Sequence, residues 1–383
     1  MVSFVFILII IIYLFIIGGL SYGFDKIDEF SVQDLPSKTK FSVIIPFRNE
    51  AKNLPQLLDS ILELHYPKSM FEVILVNDDS EDDSVAIITN HLDAQTLKTS
   101  FPLTDHIAII KNKRHSNSPK KDALTAAIQH SKFNWIITTD ADCVLPKYWL
   151  DTFDKYIQTQ YPNCIVAPVT YHGKMTFLNR FQTLDILSLQ GSTIGSFGIK
   201  KPLMCNGANF AYLKSQFNRV KGFEGNNRIA SGDDVFLLEK FIKQDAKKVN
   251  YLKSKNAIVT TNPSENIKEL IQQRLRWASK TSQNKNWFVK LVGLVVLLGN
   301  AIFLGLFPAV YFNLITLKIA MALLIIKLSI DFLLIFKTTH FFKQENLLRS
   351  YLFSSVLYPF FNVSVALLSF FKSYEWKGRT FKV

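Results

Sequence analysis

Residues Val2 to Leu20, VSFVFILIIIIYLFIIGGL, carry no charged side chain. A run of that length can cross a bilayer as a helix, because in hydrocarbon the backbone has to close its hydrogen bonds within the segment. The rest of the chain must fold around that constraint. A cleaved signal peptide is the competing reading. It is weakened because no Lys or Arg precedes the apolar core and YGFDKIDEF stands where small residues would mark a cleavage site. An uncleaved anchor over residues 1–22 is expected.

Three more apolar blocks follow much later, Trp287 to Phe312, Leu314 to Phe336 and Leu352 to Phe371. They define a membrane region of two or three helices over residues 287–372. Between anchor and blocks, residues 38–285 have the composition of a globular domain. The formal charge is +13, yet the basic residues form no stripe interleaved with aromatics, which argues against a nucleic-acid partner. They gather beside the apolar blocks instead, in QQRLRWASKTSQNKNWFVK and KTTHFFKQENLLR, as cytoplasmic flanks do. With the anchor running outside to inside, three later crossings would leave KSYEWKGRTFKV outside, against that tendency. One block should then lie in the interface or re-enter. Leu314 to Phe336 is the doubtful one, since it carries Lys318, Lys327 and Asp331, the last two able to pair on one helix face.

Three cysteines without a CxxC spacing point away from both a disulfide framework and a zinc site, and fit a reducing compartment. The seven histidines form no HExxH pair. In the middle region strands alternate with helices. KFSVIIPFRNE starts as a strand that Pro46 should stop, and AKNLPQLLDSILEL puts Leu54, Leu57, Leu58, Ile61 and Leu62 on one helix face. FEVILVNDDSEDDS repeats the plan, HIAIIKN is a third strand, and FNWIITT a fourth after a helix over Lys120 to Ser131. Such alternation implies an α/β fold with a mostly parallel sheet, and the ligand then lies outside the carboxyl ends of the strands. Asn77, Asp78 and Asp79 follow the second strand there; Asp140 and Asp142 follow the fourth. No GxGxxG or GxxxxGK[ST] occurs, so neither a dinucleotide fold nor a P-loop is indicated.

In an extended segment residues two apart point the same way, so Asp140 and Asp142 should project together and repel. A hard divalent cation, Mg²⁺ or Mn²⁺, would relieve that repulsion, with carboxylates, water and substrate phosphate as its oxygen ligands. A plain turn is the alternative for Asp140. Asp233 and Asp234 in IASGDDVFLLEKFI open another helix, where carboxylates can simply complement the helix dipole.

VIIPFRNE, VNDDSED, SPKKDAL, TTDADC, CNGANFAY, SGDDVFLLEK and QQRLRW come in an order and spacing that resembles the family 2 glycosyltransferases. The likeness is to their membrane-integrated branch, which includes cellulose, chitin, hyaluronan and poly-N-acetylglucosamine synthases and ceramide glucosyltransferase. It spans about Ser42 to Trp277. The resemblance implies a GT-A nucleotide-sugar-binding domain between N-terminal and C-terminal transmembrane helices, and inverting transfer from a nucleotide diphosphate sugar, a UDP-sugar being expected. It implies that Asp78 binds the nucleobase, although the family's DDGS reads NDDS here. It implies that Asp140 faces the ribose, that Asp142, with Asp140 beside it, holds the metal, and that Lys120 lies near the donor, with Pro119 and Thr125 replacing the usual Gly and Asn. Asp234 maps to the general base, which must stand opposite the leaving diphosphate and within reach of the acceptor hydroxyl; Asp233 is a cap or donor contact. Gln273, Arg276 and Trp277 match QxxRW, where Arg offers a fixed fork for diphosphate and Trp a flat face for a sugar. An interfacial helix before a membrane span would carry the same residue types. Gly207, Ala208 and Asn209 match the acceptor-side segment, and Gly207 could equally serve a turn.

The expected protein is integral to the cell inner membrane, with its catalytic domain in the cytoplasm. Three C-terminal blocks are few for an enclosed pore unless the chain oligomerises or has a partner subunit. Addition of one sugar to a lipid or lipid-linked acceptor is therefore favoured over processive glycan synthesis. A nucleotidyltransferase would not account for Gln273, Arg276 and Trp277, and an inactive membrane scaffold would not account for Asp78, Asp142, Asp234 and Trp277 together.

Overall fold

The computed structural model describes residues 2–99, 106–226, 231–283 and 285–381. Two compact units form, one from Glu29–His172 and Met204–Asn262, the other from Met1–Asp28, Gly173–Leu203 and Pro263–Val383.

The first unit is built on strands β1 (Phe41–Phe47), β2 (Phe71–Asn77), β3 (Ile107–Lys111), β4 (Trp135–Thr138), β5 (Cys143–Val144), β6 (Cys164–Val166), β7 (Val169–Tyr171), β8 (Phe210–Leu213), β9 (Val249–Tyr251) and β10 (Val259–Thr261). Seven of them make one sheet in the order β3-β2-β1-β4-β8-β6-β9, and β5-β10-β7 make a small second sheet. β1 to β4 pair in parallel, while β8 runs antiparallel to both β4 and β6. The sheet is therefore mostly parallel, as the alternation predicts. Pro46 does not end β1, which continues to Phe47; the β4 ladder stops opposite Ile44, so Pro46 sits in edge-like surroundings on that side. Val43, Ile45, Val73, Leu75 and Ile137 pack with Leu57, Leu58 and Ile61 in the core, and the fully buried Trp149 and Phe153 close it.

The second unit holds the helices Val2–Lys26, Phe177–Gly198, Ile267–Gln283, Trp287–Tyr311, Leu317–Phe341 and Tyr351–Ser369, and a two-stranded hairpin of β11 (Tyr374–Trp376) and β12 (Arg379–Phe381). Among the described residues four helices are long and apolar enough to cross a membrane: Val2–Lys26, Trp287–Tyr311, Leu317–Phe341 and Glu345–Ser369. Composition assigns Phe177–Gly198 and Ile267–Gln283 to the middle region; the structure packs both with the apolar helices. Helices Val2–Lys26 and Phe177–Gly198 touch backbone to backbone. A Cβ on Gly195 would collide with the Leu20 carbonyl, and one on Gly198 with the Gly23 carbonyl.

The block doubted in the sequence is one continuous helix running beside the first. Its Lys327 and Asp331 pair at 2.8 Å, the Tyr13 hydroxyl donates to Asp331 at 2.6 Å, and Lys337 meets Asp25 at 2.6 Å.

Candidate active site

The carboxyl ends of β1, β2 and β4 share one edge of the large sheet. Because β8 is antiparallel, its preceding turn Gly207–Asn209 returns to that edge, where the Thr138 hydroxyl donates to the Gly207 carbonyl at 2.7 Å. Two clusters of side chains lie along it.

The first surrounds Asp78, which is 7% exposed. The Asn112 amide donates to its Oδ1 at 2.7 Å and the Arg114 Nε at 3.1 Å, while its backbone N–H bonds to the Phe47 carbonyl. Arg48 donates to the Asp78 and Asp79 carbonyls and pairs with Glu81 at 2.7 Å. Asn49 and Asp79 take positive φ (52° and 55°), a conformation Asn and Asp adopt more readily than most residues. The loops after β1 and β2 thus form one bonded platform. Arg48, Asn112 and Arg114 were not singled out in the sequence. Their signal was positional, since each follows a parallel strand at its carboxyl end.

The second cluster centres on Lys120. Its Nζ lies 2.6 Å from Asp140 Oδ1 and 3.4 Å from Asp233 Oδ2. Burial alone would lower the Lys120 pKa, but the carboxylates of Asp140, Asp233 and Asp234 outweigh it and hold the ammonium above its ordinary value. Asp234 Oδ2 accepts the Gly207 N–H at 3.2 Å, and its Oδ1 accepts the Val235 N–H at 2.8 Å. Gly232 precedes the pair at φ 82°, where a Cβ would strike the Phe236 ring, so the entry to this helix requires glycine. A Cβ on Gly207 would stand 3.1 Å from Asp233 Oδ2 and 3.6 Å from Lys120 Nζ, so the missing side chain there makes room for the charged cluster.

The geometry corrects two expectations. β4 ends at Thr138, and residues 140–142 form a turn closed by the Cys143 N–H on the Asp140 carbonyl at 3.2 Å. Asp140 and Asp142 are therefore not neighbours on an extended strand, and Lys120 is the positive group beside Asp140. Asn209 is fully buried, with both amide hydrogens on the Pro168 and Ala257 carbonyls and its oxygen taking the Trp149 indole N–H; it ties strands together rather than facing an acceptor. Ala208 is also buried.

Asp142 is half-buried, with its Oδ1 3.8 Å from the Cys143 sulfur. Burial, then the Asp142 and Asp140 carboxylates, pushes the Cys143 thiol well above its usual range. Among the described residues no group of three or more His, Cys, Asp or Glu side chains could hold a metal. The donor set fits Mg²⁺ or Mn²⁺ on Asp142 only with phosphate oxygens completing the shell.

Gln273, Arg276 and Trp277 belong to helix Ile267–Gln283 in the other unit. There Arg274 bonds to Gln273, stacks over Trp277 at 4.2 Å and forms a buried pair with Asp185 at 2.6 Å.

The sequence matches Glycosyl transferase family 2 over residues 42–220 and Glycosyl transferase family group 2 over residues 135–341, more than half of the chain. The chain belongs to the family 2 glycosyltransferases. It is 27% identical over 127 residues to the poly(ribitol-phosphate) beta-N-acetylglucosaminyltransferase TarS of Staphylococcus aureus, covering 33% of this chain and 20% of TarS. It is 29% identical over 108 residues to the undecaprenyl-phosphate 4-deoxy-4-formamido-L-arabinose transferase of Sodalis glossinidius, covering 28% of this chain and 30% of that one. The matched part is thus well under half the length of either relative. The fold resembles that of the mannosyltransferase PcManGT from Pyrobaculum calidifontis, solved with GDP-Man and Mn²⁺, at a TM-score of 0.55 and 14% identity over 96% of both chains. The architecture is of the GT-A type.

Proposed function

We propose that the protein is an integral membrane enzyme that moves a sugar, with inversion, from a nucleotide diphosphate sugar to a lipid or lipid-linked acceptor. One observation carries this reading: Lys120, Asp140 and Asp233, from three separate chain segments, meet on the sheet edge that also presents Asp78. Asp78, steadied by Asn112 and Arg114, receives the nucleobase, a uracil being the expectation; Asp140 takes the ribose side, and Lys120 keeps its charge beside the donor. Asp234 accepts the proton of the attacking acceptor hydroxyl, and the Gly207 N–H fixes its orientation. A divalent cation on Asp142, and on Asp140 if the lysine yields, would neutralise the departing diphosphate. Gln273, Arg276 and Trp277 are assigned to diphosphate and sugar on the family resemblance, and the Gly207 and Ala208 backbone to the acceptor side. Four candidate spans and an undecaprenyl-phosphate transferase among the relatives support a lipid-linked acceptor at the inner membrane, with the catalytic unit in the cytoplasm.

The test is to incubate membranes containing the protein with a panel of radiolabelled nucleotide sugars. Label in the lipid extract is expected. Label in an insoluble polymer would replace single addition by processive synthesis, and no incorporation from any sugar would overturn the enzymatic reading.

A further inference from the structure

The hairpin of β11 and β12 lies on the helix that carries Gln273, Arg276 and Trp277. Lys377 and Gly378, at φ 51° and 73°, make the mirror-image two-residue turn that matches the twist of paired strands. The Tyr374 and Phe381 rings stack at 5.6 Å. The Glu375 N–H donates to Gln272 Oε1 at 2.9 Å, and the Arg276 guanidinium sits 5.1 Å from the centre of the Trp376 ring.

The neighbouring helices fix where this hairpin can be. Helix Trp287–Tyr311 runs against the first helix in the opposite sense: Gly299 meets the Tyr13 ring, Ile302 packs with Ile10, and the Ser3 hydroxyl reaches the Leu314 carbonyl at 3.4 Å. Helix Leu317–Phe341 returns in the same sense as the first, from Asp331 at Tyr13 to Lys337 at Asp25 and Phe341 at Phe24. Two traverses bring the chain back to the end of the bundle it left. A third would strand the hairpin at the far end from the helix it is bonded to. The last apolar helix shows how this is avoided. Its Tyr351 hydroxyl bonds to the Leu328 carbonyl and its Asn362 to Asn300. Asn300 lies twelve residues before Phe312 and Leu328 twelve after Thr316, so both partners stand at one depth from the connecting loop. The segment from 351 to 362, about 16 Å of helix, therefore runs across its neighbours rather than along them.

We propose that the described residues make three crossings, that the segment Glu345–Ser369 enters and leaves on one side, and that the returning hairpin makes Trp376 a positioning residue for Arg276. The indole face holds the planar guanidinium in one orientation, so its fork is set before a diphosphate arrives. The Gln272 contact fixes the register of hairpin on helix. The Trp376 role rests on the donor reading of Arg276; the return of the hairpin does not.

Two arms test this in the full-length protein. Cys143, Cys164 and Cys205 are buried, and burial pushes the first two thiols well above their usual range, so added surface cysteines dominate labelling. In sealed vesicles a membrane-impermeant maleimide should label Thr380→Cys and Lys268→Cys from one side and Asn313→Cys from the other. Labelling of Thr380→Cys together with Asn313→Cys would overturn the returning segment. In detergent, Trp376→Ala should weaken UDP binding and raise the KM for the nucleotide sugar about five-fold. Trp376→Phe should restore both, and Arg276→Ala/Trp376→Ala should be no worse than Arg276→Ala alone. Additive losses, or a Trp376→Ala variant that binds UDP normally, would overturn the positioning role. A wild-type chain that binds neither UDP nor GDP would overturn the donor reading and that role with it, while the labelling still decides where the hairpin lies.

Discussion

Buried charge is handled differently in the two units. In the unit with the apolar helices, Arg274 meets Asp185 at 2.6 Å and Lys327 meets Asp331 at 2.8 Å, one cation to one acid. At the sheet edge Lys120 faces Asp140, Asp233 and Asp234 at once. A one-to-one pair is a closed arrangement that hydrocarbon of similar shape can replace as a unit. Several acids gathered on a single lysine at the ligand edge of a sheet leave carboxylates that a charged ligand can re-pair, an arrangement often found at working sites.

The largest effect that could break this contrast is at Asp234. Asp234→Asn should lower turnover on the order of a thousand-fold and leave UDP affinity near that of the wild type, read by steady-state kinetics beside calorimetry. Undiminished turnover would remove Asp234 as the base. Next come the two lysines. Lys120→Met and Lys327→Met should each destabilise the fold by about 3 kcal/mol in thermal unfolding, because each leaves an acid without its cation. Lys327→Met/Asp331→Leu should recover most of that loss, whereas Lys120→Met/Asp140→Leu should recover stability at best and no turnover. Recovery of turnover in the latter variant would reduce the cluster to a structural pair.

A smaller effect is expected at Asp142. Asp142→Asn should weaken Mn²⁺-dependent UDP binding on the order of ten-fold and leave metal-free binding alone. Equal losses with and without Mn²⁺ would assign Asp142 to the nucleotide instead of the cation. The smallest concerns pH. Lys120 is held above its ordinary value of 10.5, so its contribution to stability is complete below that pH and is lost only as pH climbs through the higher folded value. The stability gap between wild type and Lys120→Met should therefore stay flat from about pH 6 to 9. A gap that closes by pH 9 would mean the lysine is not held by its acids.

Much of the unit built on the large sheet was legible because its signals are local. β1 to β4 are short apolar runs ended by polar residues, and the rule that ligands gather at strand ends led directly to Asp78 and Asp140. What the sequence hid depends on distant partners. The turn at 140–142 looks like a continued strand until β5 is seen to pair with β10. Nothing in SPKKDAL shows that Lys120 will reach Asp233 across more than a hundred residues. Asn209 matches the acceptor-side segment in sequence, yet its three hydrogen bonds hold it in the core. Helix Phe177–Gly198 went unread because it is packed on several faces and so carries no single apolar stripe. The span expected to be doubtful carries Lys327 and Asp331, which pair with each other inside the bundle, a partnership that composition alone does not show.

The glycine contact between helices Val2–Lys26 and Phe177–Gly198 bears on how the molecule is made. The first helix leaves the ribosome about 150 residues before the partner whose backbone it must touch, a wait of roughly ten to thirty seconds at ordinary elongation rates. A membrane anchor of the proposed kind would have to persist in the bilayer over that interval without this partner, while β1 to β4 are translated. On that reading the close contact of Gly23, Gly195 and Gly198 would form late, as a latch that closes once the second helix has been made.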